Sequence, residues 1–275
     1  MTTPIEYKEF SMGPEVALLK IEVSPHLYTD GPIRSIKSTI GPPIQVAPRS
    51  RRFTLGEDTN VKPLDIFKPM INACSVPAPR WIYFDPSTHK ASILIFVDGA
   101  APNNGTSSVT AGCGVVFRPD GKGCISFPLE RTKGINPTNN RAEIRAAHAA
   151  FGLRYWSGEG FQRVVIATDS EYLVRGISEY VLIWKENGWM TVEGKPVKNQ
   201  DLWKLLLEDV ESYEKRGVQV QFWLIPRELN HFADVEAKKG AKQTENIPTE
   251  IKKIVFFDIS LKGRNIMHAR DFETG

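Results

Sequence analysis

The spacing of apolar residues divides the chain into two unlike parts at about residue 91. Beyond it, short apolar or alternating runs take turns with stretches whose apolar positions recur every three or four residues, and this alternation of strands and helices predicts an α/β layer architecture. Ser92 to Asp98 reads as a buried strand around the continuous run Ile93 to Val97. Gly112 to Arg118 and Gly123 to Leu129 read as a hairpin around Pro119-Asp120-Gly121, which completes an antiparallel meander. A helix is expected over Asn139 to Trp156, with Ile144, Ala147, Phe151 and Tyr155 on one face. Val164 to Thr168 is a short β-branched strand, and Glu171 to Ile183 a helix whose stripe is Leu173, Ile177 and Val181. The Gly- and Lys-bearing loop Asn187 to Asn199 leads to a helix over Gln200 to Lys215, then to an alternating strand over Val218 to Leu224 and a closing helix over Asn230 to Ala241. The resulting order is βββαβα(α)βα.

Residues 1–90 read differently. They hold twelve of the 19 prolines, which break the segment into short extended pieces such as Ala17 to Val23 and argue against a helix-rich fold there. Arg49-Ser50-Arg51-Arg52 is a basic cluster with three readings: a solvated turn, a nuclear signal or a phosphate contact. The expected organisation is a Pro-rich N-terminal extension over 1–90, an α/β domain over 91–245 and a C-terminal extension over 246–275. In the last of these, Lys253 to Ile259 is expected to add a strand that packs with the Pro-rich segment.

Composition narrows the function by exclusion. At 275 residues with 41% hydrophobic and 24% charged residues the chain is an ordinary globular one, neither disordered nor fibrous. Its longest clean apolar run is far short of the roughly 18 residues that cross a bilayer, so no membrane span is expected. The acidic opening Met1 to Glu9 lacks the apolar core of a secretory signal, and the three cysteines, Cys74, Cys113 and Cys124, form no metal-ligand spacing. Cytosol or nucleus is therefore the expected compartment, with the cysteines as small core residues. A net charge of +3 does not announce a strongly basic nucleic-acid binder, and residues 91–245 carry basic and acidic side chains in equal number.

Four acids fall at informative places on the predicted elements. Asp98 and Asp169 end two strands, where sites form in α/β sheets, while Glu143 and Asp234 lie in the first turns of two helices. Like charges ~4 Å apart repel by about 4 kcal/mol at an effective dielectric of 20, so a cluster of all four needs a cation. Oxygen ligands suit Mg²⁺ or Mn²⁺, and two such ions about 3.5 to 4 Å apart activate water and stabilise the leaving oxygen in phosphodiester hydrolysis. Taken singly, each acid reads as a helix cap or a solvated side chain, Asp169 ahead of Ser170-Glu171 included. Spacing leaves their convergence open.

Several stretches carry a resemblance: Phe96-Val97-Asp98-Gly99-Ala100, Asn103-Asn104-Gly105, Ala111-Gly112-Cys113-Gly114-Val115, Thr138-Asn139-Asn140-Arg141-Ala142-Glu143, Ala167-Thr168-Asp169-Ser170 and Asn230-His231-Phe232-Ala233-Asp234. In order and rough spacing they resemble type 1 ribonuclease H over about residues 91–243. The resemblance implies a ribonuclease H-like five-stranded mixed sheet with helices on both faces, and endonucleolytic cleavage of the RNA strand of RNA/DNA hybrids. It assigns Asp98, Glu143, Asp169 and Asp234 as metal-binding and catalytic carboxylates for two Mg²⁺ or Mn²⁺ ions. Asn104, Asn139, Asn140 and Glu143 match positions that read 2′-hydroxyls across the minor groove, and Thr138 and Asn199 match a pocket for a DNA-strand phosphate. Asn136 stands where that pocket often has a basic residue.

Tyr172, Tyr180, Trp184, Trp189 and Trp203 interleave with Lys185, Lys195 and Lys198 in a stretch that looks like the family's DNA-strand channel and basic protrusion. For Trp203 and Tyr180 a core role competes with binding. One departure is the family's histidine-bearing loop before the last helix: here Trp223 to Asn230 passes directly on, as in a shorter variant without the histidine, and His231 reads as a solvated first-turn side chain. Residues 1–90 do not resemble the small hybrid-binding module of many eukaryotic members. The rival expectation is a non-catalytic module or scaffold that binds hybrid or RNA on the same fold.

Overall fold

A computed structural model of the chain describes residues 50–54, 61–71, 78–86, 88–102, 109–252 and 254, with the backbone of 260–261 and 264–265. The elements in order are α1 (Pro63–Ile66), β1 (Lys68–Met70), β2 (Arg80–Phe84), β3 (Ala91–Ala100), β4 (Gly112–Val116), β5 (Cys124–Pro128) and α2 (Asn139–Leu153). There follow β6 (Arg163–Thr168), α3 (Glu171–Arg175), a π-helical turn (Gly176–Tyr180), α4 (Val181–Glu186), α5 (Gln200–Lys215), β7 (Gln219–Leu224), a 3-10 turn (Arg227–Leu229) and α6 (His231–Ala241).

Strand β3 is central because Ile93 to Val97 leave it no polar face, and a strand apolar on both sides must lie between two layers. Ile93, Ile95 and Val97 point into the cluster built with α2 and α5, while Leu94 and Phe96 join Phe53, Phe67, Trp81, Ile225 and Ala233 on the other face. One edge of β3 pairs parallel with β6, which pairs parallel with β7. The other edge pairs antiparallel with β4, and β4 with β5. This is the expected five-stranded mixed sheet. Two further strands join it from the Pro-rich segment: β2 pairs with residues 91–93 on the stretch of edge that β4 leaves open, and β1 pairs with β2.

The basic cluster is structural in its described part. Arg51 forks onto Glu214 at 2.9 and 2.8 Å, and Arg52 reaches Glu179 at 3.1 Å. Phe222 N donates to Arg51 O and Phe53 N to Phe222 O, so this segment adds a rung to the outer edge of β7 and covers an otherwise open edge. Arg80 is also buried, on Glu159.

Two helices depart from their expected bounds. α2 stops at Leu153, because Arg154 turns extended; Tyr155, expected on the apolar stripe, is 51% exposed. Trp156 is buried in its stead, and its Nε1 donates to Ala150 O at 2.8 Å, satisfying a carbonyl of the last turn. The helix that follows β6 is widened by the π turn, where Gly176 lies against the Trp203 ring so closely that a Cβ would stand 2.3 Å from it. Leu173, Ile177 and Val181 still face the core. Residues after α6 are tied back by Arg131 N to Pro248 O and Arg145 Nη2 to Lys252 O, both 2.8 Å. The strand expected over Lys253 to Ile259 lies outside the described residues apart from Ile254, as does Cys74; Cys113 is buried and Cys124 half-buried, both free thiols.

Candidate active site

Register brings the first two acids together. Phe96 pairs with Ala167, so Asp98 and Asp169 each lie two residues further along neighbouring parallel strands, at their carboxyl ends. Glycines then admit the helices. A Cβ on Gly99 would stand 2.2 Å from Glu143 N, and one on Gly114, the register partner of Asp98, 2.3 Å from Ala233 O. Without side chains there, the first turns of α2 and α6 press against the strand ends and carry Glu143 and Asp234 in with them.

Hydrogen bonds hold the carboxylates in place. Asp98 Oδ1 accepts from Gly99 N at 2.8 Å. Glu143 accepts from Asn139 Nδ2 at 2.6 Å and, in a very short contact, from Ser170 Oγ, which also caps α3 by accepting from Leu173 N. Asn139 Oδ1 in turn accepts from Ala101 N at 3.2 Å. Asn230 is fully buried, and its Nδ2 donates to Val97 O at 3.0 Å and to Asp169 Oδ1 at 2.6 Å, while its backbone carbonyl accepts from Asp234 N at 3.1 Å. One residue thus ties together the ends of β3 and β6 and the start of α6.

The four acids share one field. Burial pushes the Asp98 carboxyl up to about 7, and Asp169, Glu143 and Asp234 push in the same direction against the Gly99 N–H. Glu143 is also raised, by burial first and by Asp169, while Ser170, Asn139 and the Arg227 guanidinium oppose the rise. Asp234 is met by Lys238 Nζ at 2.7 Å and Arg227 Nη2 at 3.8 Å. Among the described residues, no three His, Cys, Asp or Glu side chains stand as a ready-made cation cage. The oxygens are engaged instead with Ser170, Asn139, Asn230 and Lys238. The donor set nonetheless fits a hard divalent ion: it is all oxygen, and ionising it completely needs a compensating positive charge.

The expected nucleic-acid residues divide into groups. Asn104 lies outside the described residues. Asn139 is within the carboxylate site and Asn140 is exposed beside it. Thr138 caps α2 by accepting from Arg141 N, and Arg141 forks onto Asp201 at 2.8 and 2.7 Å and reaches Asn199 Oδ1 at 3.4 Å. One buried arginine therefore joins the two halves of the expected phosphate pocket, with Asn199 left-handed at φ 58°. Tyr172 and Trp184 line a cleft of about 340 Å³ with Glu171, Arg175, Gly176 and Tyr180. Trp203 is fully buried behind it, a core residue. Lys195 and Lys198 are exposed on the neighbouring hairpin, and Lys185 pairs with Glu211. His231 is exposed with its ring on Phe232. Sequence reasoning did not single out Ser170, Asn230 and Arg141; each stands inside a motif, but its work depends on partners distant in the chain.

A family model for RNase H matches residues 90–242, more than half of the chain. The chain belongs to the type 1 ribonuclease H family. Ribonuclease H1 of Mus musculus is 33% identical over 159 residues, which cover 56% of this chain and 52% of the mouse protein. Ribonuclease H of Actinobacillus pleuropneumoniae is 34% identical over 150 residues, covering 54% and 90%. The chain spans about half the length of its mammalian relatives. Among solved structures it is similar to LC9-RNase H1, described as a type 1 RNase H with the type 2 active-site motif, at 27% identity, 55% and 72% coverage and a TM-score of 0.42. The shared region coincides with β3 to α6, and the strands and helices that place the four acids all lie within it.

Proposed function

We propose that this ribonuclease H family member is a divalent-metal-dependent endonuclease that hydrolyses the RNA strand of RNA/DNA hybrids. The observation that carries the reading is the shared field of Asp98, Glu143, Asp169 and Asp234, drawn from four elements to one end of the sheet. Asp98 and Asp169 would be the central ligands of two Mg²⁺ or Mn²⁺ ions, with Glu143 and Asp234 completing the set. Such ions, when bound, supply water activation and charge neutralisation in phosphodiester hydrolysis.

The chain's own residues select the substrate. Glu143 and Asn139, already hydrogen-bonded to each other, face the 2′-hydroxyl that distinguishes RNA from DNA, and Asn140 extends the row. Thr138 and Asn199, braced through Arg141, take a phosphate of the DNA strand. Tyr172 and Trp184 offer aromatic faces to that strand, and Lys195 and Lys198 neutralise its phosphates. LC11-RNase H1, 25% identical with a TM-score of 0.37, has been solved in complex with RNA/DNA hybrid.

The trial is cleavage of labelled hybrid in Mg²⁺ or Mn²⁺ beside an Asp98→Asn control. Cleavage of the RNA strand by the wild type alone supports the reading, and equal cleavage by both proteins rejects it. The 3-10 turn in place of a histidine loop favours a second reading, a module that grips hybrid without turnover; salt-sensitive binding with no cleavage above the Asp98→Asn background would identify it.

A further inference from the structure

The Pro-rich segment brings an arginine to the rim of the cleft that Tyr172 and Trp184 line. Its backbone is fixed there as the rung on β7: Phe222 N donates to Arg51 O at 2.7 Å, Phe53 N to Phe222 O at 2.9 Å, and Gln221 Nε2 to Ser50 O and Arg52 O, both at 3.3 Å. The two arginines of the rung are spent differently. The Arg51 side chain is 10% exposed and forks onto Glu214, which makes it an anchor. The Arg52 side chain is 44% exposed and reaches Glu179 through Nη1 alone, at 3.1 Å. Its Nε and Nη2 have no hydrogen-bond partner among the described residues. An ion pair between side chains this exposed adds little to stability, so the fold alone does not account for Arg52.

Glu179 carries a second guanidinium on its other oxygen, Arg175 Nε at 3.1 Å. Arg175 also lies over the Tyr180 ring, 5.2 Å from its centroid, and stands 3.6 Å from Glu171. Glu171, Arg175 and Tyr180 are walls of the 340 Å³ cleft. One carboxylate thus clasps two arginines, one in the cleft wall and one from outside the ribonuclease H region. An incoming nucleic-acid strand would meet the charges of Glu171 and Glu179, and Arg175 balances only one of them. Arg52 supplies the second cation, and while it holds Glu179 it still presents N–H groups of the kind that match phosphate oxygens. We propose that Arg52 contacts a phosphate of the DNA strand where that strand leaves the cleft, so that the hybrid-binding surface continues from the ribonuclease H fold onto the Pro-rich segment. The proposal rests on the reading of the cleft as the DNA-strand path and adds to it a contact outside the family's region.

The test measures hybrid binding by the full-length Asp98→Asn protein, with and without Arg52→Ala, between roughly 50 and 200 mM salt. Arg52→Ala is expected to weaken binding by about three- to tenfold and to lower the salt slope by about one. Both measurements are repeated with Glu179→Gln present, which removes the acid that Arg52 neutralises. A phosphate contact still shows the lowered slope there; no effect of Arg52→Ala in that background means that Arg52 only screens Glu179, and overturns the proposal. Neutral methylphosphonates in the DNA strand should abolish the effect of Arg52→Ala, and the same groups in the RNA strand should leave it; the reverse overturns the strand assignment. Because the ion pair is exposed, Tm should stay within about 2 °C, and a fall above about 4 °C overturns the proposal by making Arg52 an anchor of the segment. Cleavage of hybrid by the wild type with an unchanged slope sinks the Arg52 contact alone. A lowered slope without cleavage by the wild type sinks the nuclease reading and retains the contact, and absence of hybrid binding overturns both.

Discussion

Replacing Asp98 by Asn should stabilise the metal-free protein, and by more as the pH rises. Burial and three neighbouring carboxylates push the Asp98 carboxyl from 3.8 to about 7, so between those values the folded protein keeps a proton that the unfolded chain has lost. The stability this lends is present in full below about 3.8 and is lost as the pH rises through about 7. Each unit is worth about 1.4 kcal/mol, which caps the effect near 4 kcal/mol. Only the part of that window above pH 5 is crossed between pH 5 and pH 8, and side chains relax, so roughly 2–3 kcal/mol is expected over that range. The amide introduced by Asp98→Asn cannot ionise, and its oxygen can still accept from Gly99 N. For a domain of this size about 1 kcal/mol moves Tm by roughly 2–4 °C. Thermal unfolding by circular dichroism in chelator should therefore place Asp98→Asn roughly 5–10 °C above the wild type at pH 8, with the difference closing toward pH 5. Added Mg²⁺ should narrow it by raising the wild type. A difference that does not grow with pH, or a wild type more stable than the variant at pH 8 in chelator, would refute the electrostatic reasoning.

Asn230→Ala removes two buried hydrogen bonds, one of them to a carboxylate, and should cost about 2–4 kcal/mol by urea unfolding; a cost under about 1 kcal/mol would mean that Asp169 is held by other contacts. The Arg145–Glu130 pair is almost fully buried, so Arg145→Met alone should cost about 3–5 kcal/mol, while Arg145→Met with Glu130→Leu should regain most of that; equal losses in the single and double variants would contradict the cost of a stranded buried charge. Phe53→Ala should cost about 3 kcal/mol, because Phe53 packs on Phe67 and Trp223 as part of the sheet's second face, and a loss within 0.5 kcal/mol would show that the Pro-rich segment contributes little to the fold.

The central strand and most helices were legible because their signals are local. Ile93 to Val97 has no polar member, and Ile144, Ala147 and Phe151 recur at helical spacing, so burial follows from pattern alone. Tyr155 misled because periodicity does not register that Arg154 leaves the helix and Trp156 takes the buried position. Strands β1 and β2 were hidden by the prolines around them and by Arg80, a charge that reads as solvent-facing until Glu159, 79 residues away, is known to meet it. The four acids could be chosen from the sequence, but their convergence needed the Phe96–Ala167 register and the two glycines that let α2 and α6 approach. Asn230 stands in a recognisable motif, yet its bridging role rests on contacts 133 and 61 residues distant. Arg51 reads as a surface charge for the same reason, since its partner is Glu214.

The most direct measurement is a metal titration of hybrid cleavage with both strands labelled. The carboxylate site predicts that the wild type cuts the RNA strand and leaves the DNA strand whole, that chelator abolishes the reaction, and that Asp98→Asn shows only background cleavage at every Mg²⁺ or Mn²⁺ concentration. RNA cleavage that persists in chelator, or that proceeds equally in Asp98→Asn, would contradict it.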